Sequence, residues 1–121
     1  MSMRHRDPPL PAATFHILIA LADQERHGYA IMRDIAERTS GQFRIGPATL
    51  YTSIKRMTEA GLIEEAGERD DSAAEARRRY YRLTKAGRAA AIAEANRLES
   101  VLTQAHARFA PVRTRPGRRW A

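Results

Sequence analysis

Apolar positions recur along this chain in more than one rhythm, and each rhythm selects a kind of element. Phe15, Leu18, Ile19 and Ala22 fall on one side of a helix that starts near Pro11 and runs to about Asp23. Residues 23–26 then read as a connection, and His27-Gly28 opens a second helix whose apolar positions are Tyr29, Ile31, Met32, Ile35 and Ala36. Ser40-Gly41 ends that helix. Residues 42–45 alternate polar and apolar, as a very short strand would.

Residues 47–61 carry the sharpest division of faces. At about 100° per residue, Leu50, Ile54 and Met57 share one stripe and should face a core. Thr49, Thr52, Lys55, Arg56 and Glu59 come round to the opposite side, with Tyr51 on the flank. Pro47 suits a first helical turn, where its missing N–H is not needed, and Gly61 suits the left-handed position that closes a helix. A face of two hydroxyls and two cations fits a DNA groove, but this segment alone fits the solvated face of an ordinary core helix equally well.

Two strand-like runs follow, residues 62–66 and 77–83, with a polar stretch between them, which describes a hairpin with a long tip. Alternation sets Tyr81 and Leu83 on one face and Tyr80 and Arg82 on the other. Thr84 can cap a last helix whose pattern continues to about Phe109. In that helix Ala91, Ala95, Leu98, Leu102, Ala105 and Phe109 recur at alternating spacings of three and four, the seam of a helix that packs on a partner. Phe15 and Leu18 of the first helix are the expected companion surface in a homodimer; the plain alternative is a seam used within one chain.

The predicted order is helix, helix, short strand, helix, hairpin, long helix. That gives a mainly α fold with a small β-hairpin wing: a winged helix-turn-helix followed by a long C-terminal dimerisation helix. Residues 1–9 are expected to be a flexible N-terminal arm, 10–83 the DNA-binding domain, 84–109 the dimerisation helix and 110–121 a disordered basic tail. In such a fold the third helix enters the major groove and the wing meets the backbone or the minor groove of double-stranded DNA.

Within that frame Thr49, Tyr51 and Thr52 offer hydroxyls for phosphates and base edges, and Lys55 offers a point charge for a phosphate. Arg56 adds a two-pronged geometry suited to guanine O6 and N7, so it is the expected base reader. The plain alternative pairs Arg56 with Glu59 or with the wing. Arg77, Arg78 and Arg79 form the densest cationic run of the body and, at a strand start, suit a duplex backbone or a narrow minor groove. Their plain alternative is a salt-bridged edge strand answering Asp70, Asp71 and Glu75.

Composition narrows the picture. At 121 residues and 43% hydrophobic content the chain fits one domain. Of the net +7, Arg113, Arg115, Arg118 and Arg119 supply +4 and Arg4, Arg6 and Asp7 supply +1, leaving +2 for residues 10–109, so local clustering carries the nucleic-acid argument. No apolar run of about 18 residues marks a membrane span, and the N-terminus lacks the apolar stretch of a signal peptide, so a cytoplasmic protein is expected. There is no cysteine, and His5, His16, His27 and His106 are scattered, which predicts no metal site; His27 instead helps start the second helix. Nucleophile motif, phosphate loop and paired catalytic carboxylates are all missing, so neither an enzyme nor a cofactor is expected. Trp120 falls in the predicted tail, away from any expected site.

Several spaced motifs together resemble the PadR family of bacterial transcriptional regulators, in its short form with one C-terminal helix. They are His27-Gly28-Tyr29, Gly46-Pro47-Ala48-Thr49-Leu50-Tyr51 with Ile54, Arg56, Met57 and Ala60-Gly61-Leu62-Ile63, and Arg79-Tyr80-Tyr81-Arg82-Leu83-Thr84 with Gly87. The resemblance covers about residues 12–108. It implies a homodimer that binds a pseudo-palindromic operator, usually represses, and often responds to a small hydrophobic or phenolic effector. Ala48 departs from the glycine common at that position in the family, and the acidic wing loop moves the expected contact to the wing base at Arg77, Arg78 and Arg79. Two other classes remain open: a winged-helix module that binds an acidic protein, and a nonspecific DNA coater driven by the Arg-rich ends.

Overall fold

The computed structural model describes residues 8–71 and 76–109. The arm cations Arg4 and Arg6, Glu75 of the wing tip, and the tail with Arg113, Arg115, Arg118, Arg119 and Trp120 therefore lie outside the described residues. The elements run α1 (Ala12–Ala20), β1 (Arg26–His27), α2 (Gly28–Arg38), α3 (Pro47–Glu59), β2 (Ile63–Asp71), β3 (Ala76–Leu83) and α4 (Lys85–Arg108). The three strands form an antiparallel sheet in the order β1-β3-β2.

The short strand lies elsewhere than its alternation suggested. Residues 42–45 form no strand, because Thr39 at the end of α2 winds them back onto that helix. Its Oγ1 accepts from Phe43 N at 3.1 Å and lies 2.9 Å from the Ile35 carbonyl, while Ser40 (φ 53°) and Gly41 (φ 78°) turn the chain through left-handed geometry. Phe43 and Ile45 are partly buried against the core, and Phe43 stacks on His16 at 4.5 Å, so the apolar alternation there reports burial without strand pairing. The third strand is instead Arg26–His27, which pairs with Tyr81 and Tyr80. Arg26 is pinned by its Nε donating to Ala20 O at 2.7 Å. His27 Nδ1 accepts from Ala30 N at 3.1 Å and caps α2.

One core joins the elements. Ile17 and Leu18 from α1, Ile31 and Ile35 from α2, Leu50, Ile54 and Met57 from α3, Ile63 from β2 and Tyr81 from β3 are all buried in it. Leu18 is 0% exposed within the single chain, so it has no surface to offer a partner and leaves the expected dimer seam. Ala91 also leans on this core, whereas Ala95, Leu98, Leu102 and Phe109 are exposed and Phe15 and Ala105 are half-buried.

α4 is started by Thr84, whose side chain accepts from Gly87 N at 2.9 Å, while the Thr84 N–H donates to Leu62 O at 3.1 Å. The first turn of α4 thus rests directly on the start of β2. Farther along, Glu94 is buried on α4, where one carboxylate oxygen accepts from Leu10 N at 3.3 Å and from Arg97 Nε at 2.9 Å. The Arg97 guanidinium holds its carboxyl below the usual carboxylate range.

Candidate nucleic-acid interface

α3 is presented by its own sequence. Pro47 opens it after the extended Gly46, and Leu50, Ile54 and Met57 bury the inner stripe. Thr49, Tyr51, Thr52, Lys55 and Arg56 are all left exposed on the outer side. Lys55 Nζ takes Glu59 at 3.1 Å, one turn on, so the carboxylate suggested as a partner of Arg56 is engaged by its neighbour. Arg56 makes no ion pair among the described residues. Tyr51 reaches sideways across α2: a Cβ on Gly28 would stand 2.4 Å from its hydroxyl oxygen. The absence of a side chain at Gly28 is what lets α3 carry that ring against the start of α2.

The wing divides its arginine run. Arg77 bonds Asp70 at 3.0 Å and Glu68 at 3.3 Å, and Arg79 bonds Glu68 at 3.2 Å with Glu65 at 3.7 Å. The hydrogen bonds from Arg79 and Arg77 hold the Glu68 carboxyl below its ordinary range, and that carboxylate in turn raises Arg79. Of the acidic residues expected to answer this run, Asp70 does so; the others in contact are Glu65 and Glu68, which sequence reasoning missed. A bulge explains the change, because Ala66 and Gly67 (φ 98°) together oppose a single residue of β3 and bring Glu65 and Glu68 to the same face. A regular strand would have set them on opposite faces.

Arg78 turns to the other side of the hairpin and lies 5.7 Å from the centroid of the Tyr29 ring. On that side Arg69 stacks over Tyr80 at 4.1 Å and pairs with Glu25, while Arg82 bonds Glu64 at 2.7 Å and Glu25 at 3.4 Å. Tyr80 also meets the His27 ring edge-on at 5.2 Å. Arg69, Arg82 and Glu25 were not singled out from the sequence, although the opposed Glu64 and Arg82 follow directly from antiparallel pairing.

An exposed hydroxyl-and-cation helix beside a three-stranded wing is the arrangement of a winged-helix regulator, and comparison with known proteins agrees. The profile described as the Transcriptional regulator PadR-like family matches residues 17–93. The chain belongs to that family. The PadR-like chain is 34% identical over 90 residues to a Mycobacterium tuberculosis protein named transcriptional regulator Rv3488, covering 74% of this chain and 78% of that one. It is 36% identical over 74 residues to an uncharacterised Lysinibacillus sphaericus protein, spanning 60% of this chain and 65% of that relative's length. Bacillus subtilis PadR, solved in complex with operator DNA, superposes with a TM-score of 0.56 at 19% identity, covering 93% of this chain and 54% of that one. At that identity the likeness shows the fold.

The family is one of transcriptional regulators and not of enzymes. Among the described residues of this PadR-like chain, no group of three or more histidine or acidic side chains is placed to hold a metal ion. Among the same residues no helix is long and apolar enough to cross a membrane. Ala48, the departure from the family's common glycine, sits exposed in the first turn of α3.

Proposed function

We propose that this regulator binds a pseudo-palindromic DNA operator as a homodimer and acts there as a repressor in the cytoplasm. Thr49, Tyr51, Thr52 and Lys55 hold the phosphate backbone, and Arg56 reads a base edge in the major groove. The observation that carries this reading is the outer face of α3, where Lys55 is paired with Glu59 and Arg56 stands exposed with no ion pair among the described residues. The operator complex of Bacillus subtilis PadR, which has the same fold, supports the docking mode.

The dimer reading draws on α4, which leaves Ile92, Leu98, Val101, Leu102 and Phe109 exposed. Of these, Leu98, Leu102 and Phe109 share one stripe of the helix, and an exposed apolar stripe of that kind marks an interaction surface. Ala95 and Ala105 fall on that stripe with Phe15 of α1 as its companion, while Ile92 and Val101 lie on opposite flanks of the helix. Beside it a groove of about 740 Å³ is lined by Leu10, Leu62 and Val101 with Glu94 and Arg97 at one wall. An apolar floor with one ion pair suits a small hydrophobic or phenolic effector.

Selection of bound duplexes from a random pool tests the reading, with a palindromic consensus as the expected result. On the selected duplex Arg56→Ala should cost on the order of 1–3 kcal/mol and relax preference at one base position. Unchanged affinity and preference in a fluorescence titration would remove Arg56 from the reading head.

A further inference from the structure

The outer side of α3 is divided by angle. Leu50 is buried in the core, and Thr49 and Tyr51, one residue to either side of it, lie exposed on the two flanks of the helix, each about 100° round. Ala48, two residues before Leu50, falls roughly 160° from it and faces outward from the first turn, exposed. Pro47 opens that turn and Leu50 N donates to Gly46 O at 2.9 Å, so the backbone that carries Ala48 is fixed. A methyl group on a fixed backbone has no rotamer to lose on contact. Ala48 is therefore a rigid apolar probe at the centre of a face whose flanks carry hydroxyls.

Charge does not compete for this spot. Thr52 and Lys55 follow one and two turns farther along the same outward stripe, and Lys55 is held by Glu59 at 3.1 Å. The stripe is thus neutral at Ala48 and Thr52 and self-compensated beyond them. A phosphate gains nothing from the Ala48 methyl, whereas the C5-methyl of thymine, which projects into the major groove, is an apolar group of matching size. In helix-turn-helix docking the N-terminal residues of the reading helix meet the base edges, and Ala48 holds that position. Arg56 lies about 12 Å farther along the helix axis.

We infer that Ala48 is a specificity-determining residue whose methyl group packs on the C5-methyl of a thymine in the operator. The inference rests on the DNA-binding reading above and gives α3 two readers of different chemistry. Arg56 takes a hydrogen-bonding edge, and Ala48 takes an apolar one. With base pairs about 3.4 Å apart, the thymine stands roughly three to four steps from the base that Arg56 reads.

The test uses the full chain and the duplex selected from a random pool, with the thymines of one half-site replaced singly by deoxyuridine. That replacement removes one methyl group and keeps every hydrogen-bonding atom of the base. One such position should weaken binding by the parent roughly three- to fivefold in a fluorescence titration, the effect of losing one buried methyl. Ala48→Gly should weaken the thymine duplex by a similar factor and bind the thymine and deoxyuridine duplexes about equally. Any loss of helix stability in Ala48→Gly lowers both affinities alike, so the ratio between the duplexes is independent of folding. Arg56→Ala should keep the deoxyuridine penalty while relaxing preference at its own position. A parent indifferent to deoxyuridine throughout a duplex it still prefers, or a penalty that survives in Ala48→Gly, would overturn the Ala48 assignment alone. Survival of the penalty there with its loss in Thr52→Ser would hand the contact to the Thr52 methyl instead. A parent with no affinity for any duplex would overturn the DNA-binding reading and this assignment together.

Discussion

A Cβ built on Gly87 would stand 1.9 Å from the carbonyl oxygen of Leu62, an oxygen that already accepts hydrogen bonds from Thr84 N and Oγ1. Backbone cannot yield there as a side-chain tip can. Gly87→Ala must lift the first turn of α4 off β2, and overpacking of that kind typically costs about 1–3 kcal/mol or more. The expected outcome is a lowered midpoint in thermal or denaturant unfolding; an unchanged midpoint would mean that α4 can move at no cost. Gly28 is the softer case, because its hard neighbour is the movable end of Tyr51. Legibility at this scale followed distance along the chain. The Thr84 and His27 caps, the left-handed Gly61 and the inner stripe Leu50, Ile54 and Met57 depend on neighbours within about a turn, and all were readable. The burial of Leu18 was not, since periodicity names an apolar face and leaves open whether the chain or a partner covers it.

The wing shows the same limit one level up. Strand alternation put Tyr81 and Leu83 on one face, and that face meets the core, but one bulge at Ala66 and Gly67 redirected the acidic side chains toward Arg77 and Arg79, and nothing local marked it except Gly67. Residues 42–45 failed as a strand for a related reason: pairing is a relation between distant segments, and β3 took Arg26 and His27 as its neighbours. The chemistry of the wing depends on these placements. Because the folded Glu68 carboxyl titrates below its ordinary 4.5, its contribution to stability is fully present above that pH and fades as pH falls through the lowered folded value. At neutral pH both arginines therefore remain held. Glu68→Gln removes the carboxylate they share and should tighten binding to a random-sequence duplex while steepening its salt dependence. A titration that returns the parent slope would place Arg77 and Arg79 away from the phosphates.

For the whole molecule the open question is what covers α4. Its 24 residues span about 36 Å at 1.5 Å per residue, yet on this helix only Gly87 and Glu94 are buried. The compact part of the chain ends before the helix does, and Leu98, Val101, Leu102 and Phe109 continue in solvent along that overhang. Covering them with the same surface of a second copy satisfies both helices at once, and the twofold axis so created would set two α3 helices at a fixed spacing. Two half-sites one turn apart, about 34 Å, then become readable together. Replacing Leu98 and Leu102 together by Glu introduces charge into that contact without touching the single-chain core, since both side chains are exposed. Sedimentation should find the parent dimeric at micromolar concentration and the double variant monomeric, with helical content retained. The variant's affinity for the selected palindrome should fall toward that of a single half-site, because linking two half-sites multiplies affinity without any new contact. A parent that sediments as a monomer, or a double variant that still dimerises, would move the interface off this face of α4.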